Sequence, residues 1–349
     1  MRFTIAFFVV ILIQLFYSGC TGSNGSPITK RDGTDAYLAV KSQIPLSTGR
    51  GISFDFDFTE NQRLWNTVNW GQKDAQFSFS DDLGKTWEAV DVPESFGTLS
   101  SIKFIDPEHG WAVASNKIVK TTDGGKSWEK IPLPKGSEIN EMIGIAFSNA
   151  KQGFIAGSAS LRERGTGVET SRMEVLCTND GGENWSVCFK TTEYDLIQKI
   201  ISTKNVVIGL LWETGILRSL DGGLTWERKN FDFKVRDIVI APDGQVWSLG
   251  DDGLIRNSNN LGENWQVGSI IKNANKKIRW NSLAFSENGV GVVVGEQGEI
   301  GVTTDNGHTW NLHSNIISSE NLQTVRVQGS YIAILGEKNL YILELNAKN

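Results

Sequence analysis

Short apolar runs alternate with polar turns along most of the chain. Seven of these runs open successive segments about forty residues long, at 52–58, 102–105, 143–147, 197–201, 235–240, 282–285 and 325–327. In each segment further short runs follow, separated by turns rich in Gly, Asn and Asp. Runs of this length and composition predict β-strands. Because no window of helical length has a helical period, we expect an all-β fold.

An eight-residue motif lies between the third and fourth runs of six segments. Position 1 is Ser or Thr, position 3 is Asp (Asn in one copy) and position 5 is Gly. Position 7 is Thr, Ser or Asn, position 8 is Trp, and the other positions vary. Its acidic or amide positions and its tryptophans are Asp82, Trp87, Asp123, Trp128, Asp180, Trp185, Asp221, Trp226, Asn260, Trp265, Asp305 and Trp310. Self-similarity near a period of forty residues indicates a repeat architecture.

The glycines that end the second runs reveal a seventh repeat. They recur from Gly71 to Gly336 at spacings of 41 to 52 residues, with Ala114 in the second copy, and no motif follows the last one. Seven repeats of four strands predict a seven-bladed β-propeller. The last copy supplies three strands, so we expect a strand near 36–41 to join it and close the ring.

The third repeat is longer than the others. From Gly157 to Thr178 there are 21 residues, against 7 to 10 in the other copies. We therefore predict an elongated loop over 158–172, which includes Arg162 and Arg164. Loops at this point lie on the face opposite the motif turns, and the binding sites of propellers usually lie there.

The N-terminus reads as a targeting segment. Met1-Arg2 precedes an almost wholly apolar stretch from Phe3 to Phe16, and Ser18 and Gly19 stand directly before Cys20. This ending resembles a bacterial lipobox, which predicts a signal peptide over 1–20, lipid on Cys20, a flexible tether over 21–35 and the propeller over 36–349. The alternative is an ordinary signal peptide with a cysteine there by chance.

Net charge and cysteine positions bear on the kind of partner and on a possible disulfide. The net charge is −6 and there is no Lys/Arg block, which argues against nucleic-acid binding. Cys177 and Cys188 flank the third motif, on strands expected to be adjacent. In an exported protein they either form a disulfide or remain two buried thiols, depending on strand register.

The motif itself is a structural device rather than a catalytic series. In a tight turn Asp accepts hydrogen bonds from backbone N–H groups, Gly adopts a backbone angle that a Cβ disfavours, and Trp buries a large ring. One copy in each repeat would place these residues around a rim, where no single substrate reaches them all.

The motif resembles the Asp-box, or bacterial neuraminidase repeat. The stretch from Gly110-Trp111-Ala112-Val113 to Thr121–Trp128 is most similar to photosystem II stability/assembly factor-like propellers. This resemblance covers about 45–345 and implies seven blades and a role as an assembly or interaction scaffold. Photosynthetic members carry an arginine-rich surface, for which Arg218 and Arg256 are the candidates in this chain.

Two functions remain open from the sequence. A sialidase-like or other glycoside hydrolase, or a glycan-binding propeller, is one alternative. The sialidase Phe/Tyr-Arg-Ile-Pro signature is absent, and Tyr194 beside Glu193 is a weak candidate pair. A hydrolase needs paired carboxylates, for which the turns between the second and third strands offer Asp74, Glu213, Asp251, Asp252, Glu296 and Glu337.

The favoured function is a non-enzymatic binding or assembly scaffold on a bacterial envelope membrane, on its periplasmic or surface side. We expect a monomer with a protein partner, or a glycan as the alternative, and no cofactor or metal, since the three histidines fall in separate repeats. The candidate binding-face residues are Arg162, Arg164, Arg218, Arg256, Asp251 and Glu296.

Overall fold

The protein is a ring of seven four-stranded antiparallel sheets. This computed structural model describes residues 36–45, 55–59, 61–68, 76–90, 99–162, 169–191, 195–212, 215–268 and 278–347. Neighbouring sheets contact each other through their innermost strands, so each sheet is one blade of a propeller. The all-β, seven-bladed prediction is therefore confirmed.

Six blades take their strands in chain order, from the innermost to the outermost. Blade 1 contains β2 (Phe56–Phe58), β3 (Leu64–Val68), β4 (Gln76–Ser80) and β5 (Glu88–Val90). Blade 2 contains β6 (Leu99–Phe104), β7 (Gly110–Ala114), β8 (Lys117–Thr121) and β9 (Glu129–Ile131). Blade 3 contains β10 (Glu141–Phe147), β11 (Gly153–Arg162), β12 (Glu169–Thr178) and β13 (Ser186–Lys190).

The next three blades follow the same order. Blade 4 contains β14 (Ile197–Thr203), β15 (Val206–Leu211), β16 (Ile216–Ser219) and β17 (Glu227–Lys229). Blade 5 contains β18 (Val235–Ile240), β19 (Val246–Gly250), β20 (Ile255–Ser258) and β21 (Gln266–Val267). Blade 6 contains β22 (Trp280–Phe285), β23 (Gly291–Gly295), β24 (Ile300–Thr303) and β25 (Asn311–His313), with a 3-10 turn at Glu296–Gly298.

Blade 7 closes the ring with both ends of the propeller chain. It contains β26 (Leu322–Gln328), β27 (Tyr331–Gly336) and β28 (Asn339–Ala347), and its outermost strand is β1 (Ala36–Pro45). Strand β1 pairs antiparallel with β28, with Leu38 opposite Leu345 and Val40 opposite Leu343. The predicted closing strand is confirmed: β1 covers the edge of β28, so the seventh sheet has four strands like the other six.

The Asp-box forms a compact hairpin between the third and fourth strands. In the second box Thr121 Oγ1 donates to Asp123 Oδ1 at 2.8 Å and accepts from the Gly125 amide at 2.8 Å. The Asp123 carboxylate in turn accepts from the Ser127 amide at 3.0 Å and from its hydroxyl at 2.6 Å. Boxes 1, 3, 4 and 6 repeat this pattern. In box 5, where Asn260 replaces the Asp, its side-chain oxygen still accepts from the Asn264 backbone amide at 2.9 Å.

The predicted roles of the box Gly and Trp are also visible. The box glycines have φ between 76° and 91°. The indole N–H of Trp128 donates to the Gly125 carbonyl at 3.1 Å, and the tryptophans of boxes 1, 3 and 4 do the same. The indole N–H groups of Trp265 and Trp310 have no such partner among the described residues.

The two faces of the ring differ in their turns. The Asp-boxes lie beside the turns between first and second strands, since the Gly124 amide donates to the Glu108 carbonyl at 2.9 Å. We call this side the box face. The turns between second and third strands lie on the other side, where the Asp251 amide donates to the Lys234 carbonyl of the connection between blades at 3.1 Å. We call that side the hairpin face.

The insertion in the third repeat is a β-hairpin and not the predicted loop. Strands β11 and β12 stay paired from Gly153–Thr178 out to Arg162–Glu169, over ten residue pairs. Other second strands have five or six residues, so this hairpin extends the hairpin face by roughly 15 Å at about 3.3 Å per residue. Within the described ranges, no helix has the length and apolar character that crossing a membrane requires.

Candidate functional site

A repeated β-bulge shapes the centre of the hairpin face. In blades 2 to 7 the pairing of first and second strands skips one residue near the start of the first strand, as between Leu99 and Ser101. A bulge turns the extra side chain out of the regular alternation. The six extra residues all line the mouth of the central channel, and we call them the mouth ring: Ser100, Ile143, Gln198, Arg236, Asn281 and Gln323.

Polar side chains dominate the mouth ring, and several are held in place. The Gln198 amide donates to the Trp212 carbonyl at 3.1 Å, and the Asn281 amide donates to the Leu322 carbonyl at 2.9 Å. Arg236 forms an ion pair with Asp251. Amide side chains carry both donors and acceptors, so this ring can hydrogen-bond a peptide backbone.

An exposed tryptophan stands beside the ring. Trp212 follows β15 in blade 4 and is 65% exposed, although its backbone is fixed by a bond from its amide to the Leu196 carbonyl at 2.8 Å. Leu254, on the same face of blade 5, is 38% exposed. A large rigid aromatic side chain exposed next to hydrogen-bonding groups is typical of a protein-binding surface.

The long hairpin of blade 3 is anchored at its base. Glu174 on β12 is 1% exposed, and its carboxylate accepts from the Glu138 amide at 3.1 Å and pairs with Lys190 at 3.2 Å. The Ser137 hydroxyl also donates to it. These bonds tie the hairpin to the connection between blades 2 and 3, so the hairpin projects from a fixed base.

Below the mouth, the central channel has a volume of about 770 Å³ and a balanced set of charges. Asp57 pairs with Lys103 at 3.1 Å and accepts from the Phe104 amide at 2.7 Å. Asp237 pairs with Lys199 at 2.5 Å and accepts from the Leu283 amide at 2.9 Å. Because each carboxylate reaches the innermost strand of a neighbouring blade, these groups hold the ring together.

Three of the predicted binding-face residues lie on the hairpin face. Asp251 pairs with Arg236, Glu296 lies 3.6 Å from Arg279, and Arg256 pairs with Asp252 at 2.5 Å while stacking over Phe233. The hydrogen bond from Arg256, with help from the Leu254 amide, lowers the pKa of Asp252 despite its partial burial. Asp251, Asp252 and Arg256 lie in blade 5, the blade that carries exposed Leu254.

Arg218 is not part of that surface. It is 4% exposed and lies between blades 4 and 5 near the box face, where it pairs with Glu227 at 2.7 Å and Glu263 at 2.5 Å. It also donates to the Leu261 carbonyl at 2.6 Å. The equivalent residue of blade 2, Lys120, pairs in the same way with Glu183 of the next box. The residue before the box is therefore an inter-blade contact and not a binding arginine.

Several predicted residues fall outside the described structure. They are Cys20, Arg164, Asp74, Glu213, Glu193 and Tyr194, together with the side chain of Arg162. Cys177 and Cys188 are joined in a disulfide, with their Cα atoms 5.8 Å apart. The sequence alone does not decide this pairing, because Cys188 lies at a bulge: Val175 pairs with Phe189 but Leu176 pairs with Val187.

The structure does bring a tyrosine and a glutamate together, although in the closing blade. The Tyr341 hydroxyl donates to Glu320, and Tyr341 is 0% exposed. Burial raises the pKa of Tyr341, and the hydrogen bond to Glu320 adds to this. Burial also acts to raise the pKa of Glu320, but hydrogen bonds from Tyr341, Asn339 and the Lys338 amide outweigh it and lower that pKa. A buried tyrosine with a raised pKa is unsuited to act as a glycosidase nucleophile.

Comparisons with known proteins agree with this architecture. Residues 79–188 match the family model described as photosynthesis system II assembly factor YCF48. A photosystem II assembly lipoprotein Ycf48 from Synechococcus sp. (strain CC9902) is 26% identical over 217 residues, which cover 58% of this chain and 57% of the relative. The chain is an Asp-box propeller that resembles the photosystem II assembly-factor family.

Two further matches extend over more of the ring. The photosystem II assembly protein Ycf48 of Thermosynechococcus vestitus is 22% identical over 305 residues, covering 75% of this chain and 86% of the relative. A solved structure described as YCF48 bound to D1 peptide superposes with a TM-score of 0.65 at 20% identity, covering 90% of this chain and 98% of that one. At this identity the structural match establishes the shared fold.

Proposed function

We propose that the protein is a non-enzymatic assembly scaffold that binds an extended segment of a partner protein on its hairpin face. The observation that carries this proposal is the mouth ring, in which six bulged side chains converge beside exposed Trp212. The backbone N–H and C=O groups of an extended peptide require hydrogen-bond partners, and side-chain amides beside an exposed aromatic residue can supply them.

The comparisons support a protein partner. The relatives are named as photosystem II assembly proteins, and one solved relative is described with a bound peptide. The same names support the lipid attachment that the sequence predicts at Cys20, since several relatives are called lipoproteins. We propose a location on a bacterial envelope membrane and a monomeric state, which the pairing of β1 with β28 inside one chain supports.

Site-specific crosslinking tests the binding face. A photo-reactive amino acid at position 212 of the full chain, expressed in its native cells, is expected to give discrete protein adducts. The matched control is position 267, since Val267 is 57% exposed on the outermost strand of blade 5, away from the mouth. Equal adducts from both positions, or none from position 212, would contradict the proposed face.

Two further assays address the rest of the proposal. The substitution Cys20→Ser is expected to abolish incorporation of a labelled fatty acid, and retained labelling would exclude Cys20 as the lipid site. Incubation of the purified chain with a panel of sialosides and other glycosides is expected to give no turnover. Hydrolysis that survives removal of contaminating enzymes would favour the glycoside hydrolase alternative.

A further inference from the structure

The fourth Asp-box departs from the other five on its exposed surface. Its second and sixth residues are Leu220 and Leu224, which are 45% and 83% exposed. The other boxes carry polar residues at these two positions: Asp81, Thr122, Asn179, Asn259 and Thr304, and Lys85, Lys126, Glu183, Glu263 and His308. Two leucines at the tip of one hairpin form an apolar projection that the box fold itself does not require.

Two exposed lysines lie beside the contacts that this hairpin makes. The Gly222 amide at the tip donates to the Asn205 carbonyl at 2.8 Å, and the Gly222 carbonyl accepts from Gln152 at 3.2 Å. The residues next to those two contacts are Lys204 and Lys151, and both are exposed. Neither lysine takes part in an ion pair among the described residues. Leucines flanked by lysines fit an anionic lipid surface, where apolar side chains insert and ammonium groups meet headgroup phosphates.

The position of the N-terminal strand points to the same face. Ala36 pairs with Ala347, which lies at the end of β28 farthest from the β27–β28 turn. That turn lies on the hairpin face, so Ala36 lies on the box face, at blade 7. In the sequence, residues 21–35 connect Ala36 to Cys20, so the proposed lipid anchor joins the propeller at blade 7. Blade 4 lies across the ring from blade 7, with blades 5 and 6 between them on one side.

We propose that the box face rests on the membrane, with Leu220 and Leu224 inserted at the lipid interface opposite the tethered blade. Attachment at two separated points holds the ring parallel to the bilayer and directs the mouth ring and the long hairpin away from it. This inference rests on the proposed lipid anchor for the first of its two contacts.

Depth-dependent quenching tests the orientation. A fluorophore is attached at Leu224→Cys in the full lipidated chain, which is reconstituted in vesicles of phosphatidylcholine and phosphatidylglycerol. The matched control is Leu254→Cys, an exposed leucine on the hairpin face. A quencher on the lipid chains is expected to quench the label at 224 several-fold more than the label at 254. Equal quenching at both positions in a chain that floats with the vesicles would overturn the proposal while leaving the anchor intact.

A second measurement removes the dependence on the anchor. The chain from Thr21 onward keeps every strand of the closed propeller, and its partition onto the same vesicles is measured by sedimentation. The double variant L220N/L224E copies Asn179 and Glu183 of the third box, so it is expected to fold. Loss of the two leucines is expected to lower the partition coefficient by about tenfold or more.

The outcomes separate the two ideas. If the full chain fails to float, the lipid anchor is wrong, and the partition of the shorter chain still decides the leucine contact. If L220N/L224E partitions like the parent chain, the membrane contact is wrong. Binding that needs a protein and not lipid would also overturn it, since the leucines would then form part of a protein interface.

Discussion

Trp111 of blade 2 lies directly against Gly182 in the Asp-box of blade 3. A Cβ at position 182 would be 2.2 Å from Trp111 Nε1, and Gly182 has φ of 76°. Trp65 meets Gly125, and Trp247 meets Gly307, in the same way. The box glycine therefore serves two purposes, since it completes its own hairpin and also receives a large side chain from the preceding blade.

This double role predicts an unequal cost for two glycine substitutions. Gly182→Ala combines a positive φ with a clash against the buried Trp111 ring, so we expect a loss of about 3 kcal/mol in the free energy of unfolding. Gly244 has φ of 88° with nothing within 4 Å of its Cβ position, so Gly244→Ala is expected to cost about 1 kcal/mol. Urea denaturation measures both, and equal costs would show that packing against Trp111 is unimportant.

The contact between Arg218 and the next box predicts a second effect. Arg218→Ala removes a buried cation that reaches Glu227, Glu263 and the Leu261 carbonyl. We expect it to lower the free energy of unfolding by about 2 kcal/mol, mostly from the unpaired carbonyl and the lost packing. Both glutamates are nearly half exposed, so a double-mutant cycle with Glu263→Ala is expected to give a coupling of about 0.5–1 kcal/mol.

The control for Arg218 is an exposed arginine. Arg279 is 53% exposed and lies 3.6 Å from Glu296, so Arg279→Ala is expected to change the free energy of unfolding by less than about 0.5 kcal/mol. A similar loss from both variants would mean that burial between blades adds nothing to the Arg218 contact.

The box carboxylates predict a loss of stability in acid. Hydrogen bonds lower the pKa of Asp123, Asp180 and Asp221 to about 2, chiefly from Ser127, from the Asn184 amide and from Thr225 respectively. A carboxyl group whose pKa is lower in the folded state stabilises the fold above its unfolded pKa of 3.8. This contribution is lost as pH falls from about 4 to about 2.

Thermal unfolding between pH 6 and pH 2 measures the effect. Asp221→Asn keeps an acceptor oxygen but cannot titrate, as Asn260 does in the fifth box. We expect this variant to lose less stability than the parent chain over the acidic range. An identical pH profile for the two chains would show that protonation of Asp221 does not weaken its box.

The disulfide predicts a redox-dependent stability. Cys177 and Cys188 are separated by 11 residues, and closing a loop of this size is worth about 3 kcal/mol in the chain-entropy model. The Cys177 sulfur also lies 3.1 Å from the Cβ position of Gly223 in the next box, so reduction is expected to loosen the seam between blades 3 and 4. Dithiothreitol should lower the melting temperature of the parent chain.

The double variant Cys177→Ala/Cys188→Ala is the control, because it should melt at one temperature with or without the reductant. Non-reducing peptide mapping should recover the linked pair. Free thiols at both positions in protein purified without reductant would rule out the bond.

Much of the architecture is readable from local sequence. Each box encodes its own turn, since the Ser or Thr, Asp and Gly satisfy each other within eight residues. The strands follow from short β-rich runs, and Gly336 reveals the blade that has no box. Such features are local, so they do not depend on knowing which distant residues meet.

The candidate site is less accessible to this reasoning. A bulge of one residue places Arg236 and its equivalents at the channel mouth. The position of such a bulge cannot be predicted from the neighbouring sequence. Trp212 was the available signal, because it is a large aromatic residue in a turn that is otherwise made of polar residues and Gly. The extra residues of the third repeat read as a loop because their pairing partner lies within the insertion itself.

The sequence by itself determined the number of blades, the strand order within each blade and the closure by the N-terminal strand. These depend on periodic patterns and on turns that are complete within a few residues. Only the tertiary structure decided which side chains share a surface: it buried Arg218 between blades, set Trp212 beside the mouth ring and placed Leu224 on the opposite face. Surfaces of this kind join residues from separate repeats, and their proximity follows from blade packing and strand register rather than from spacing along the chain.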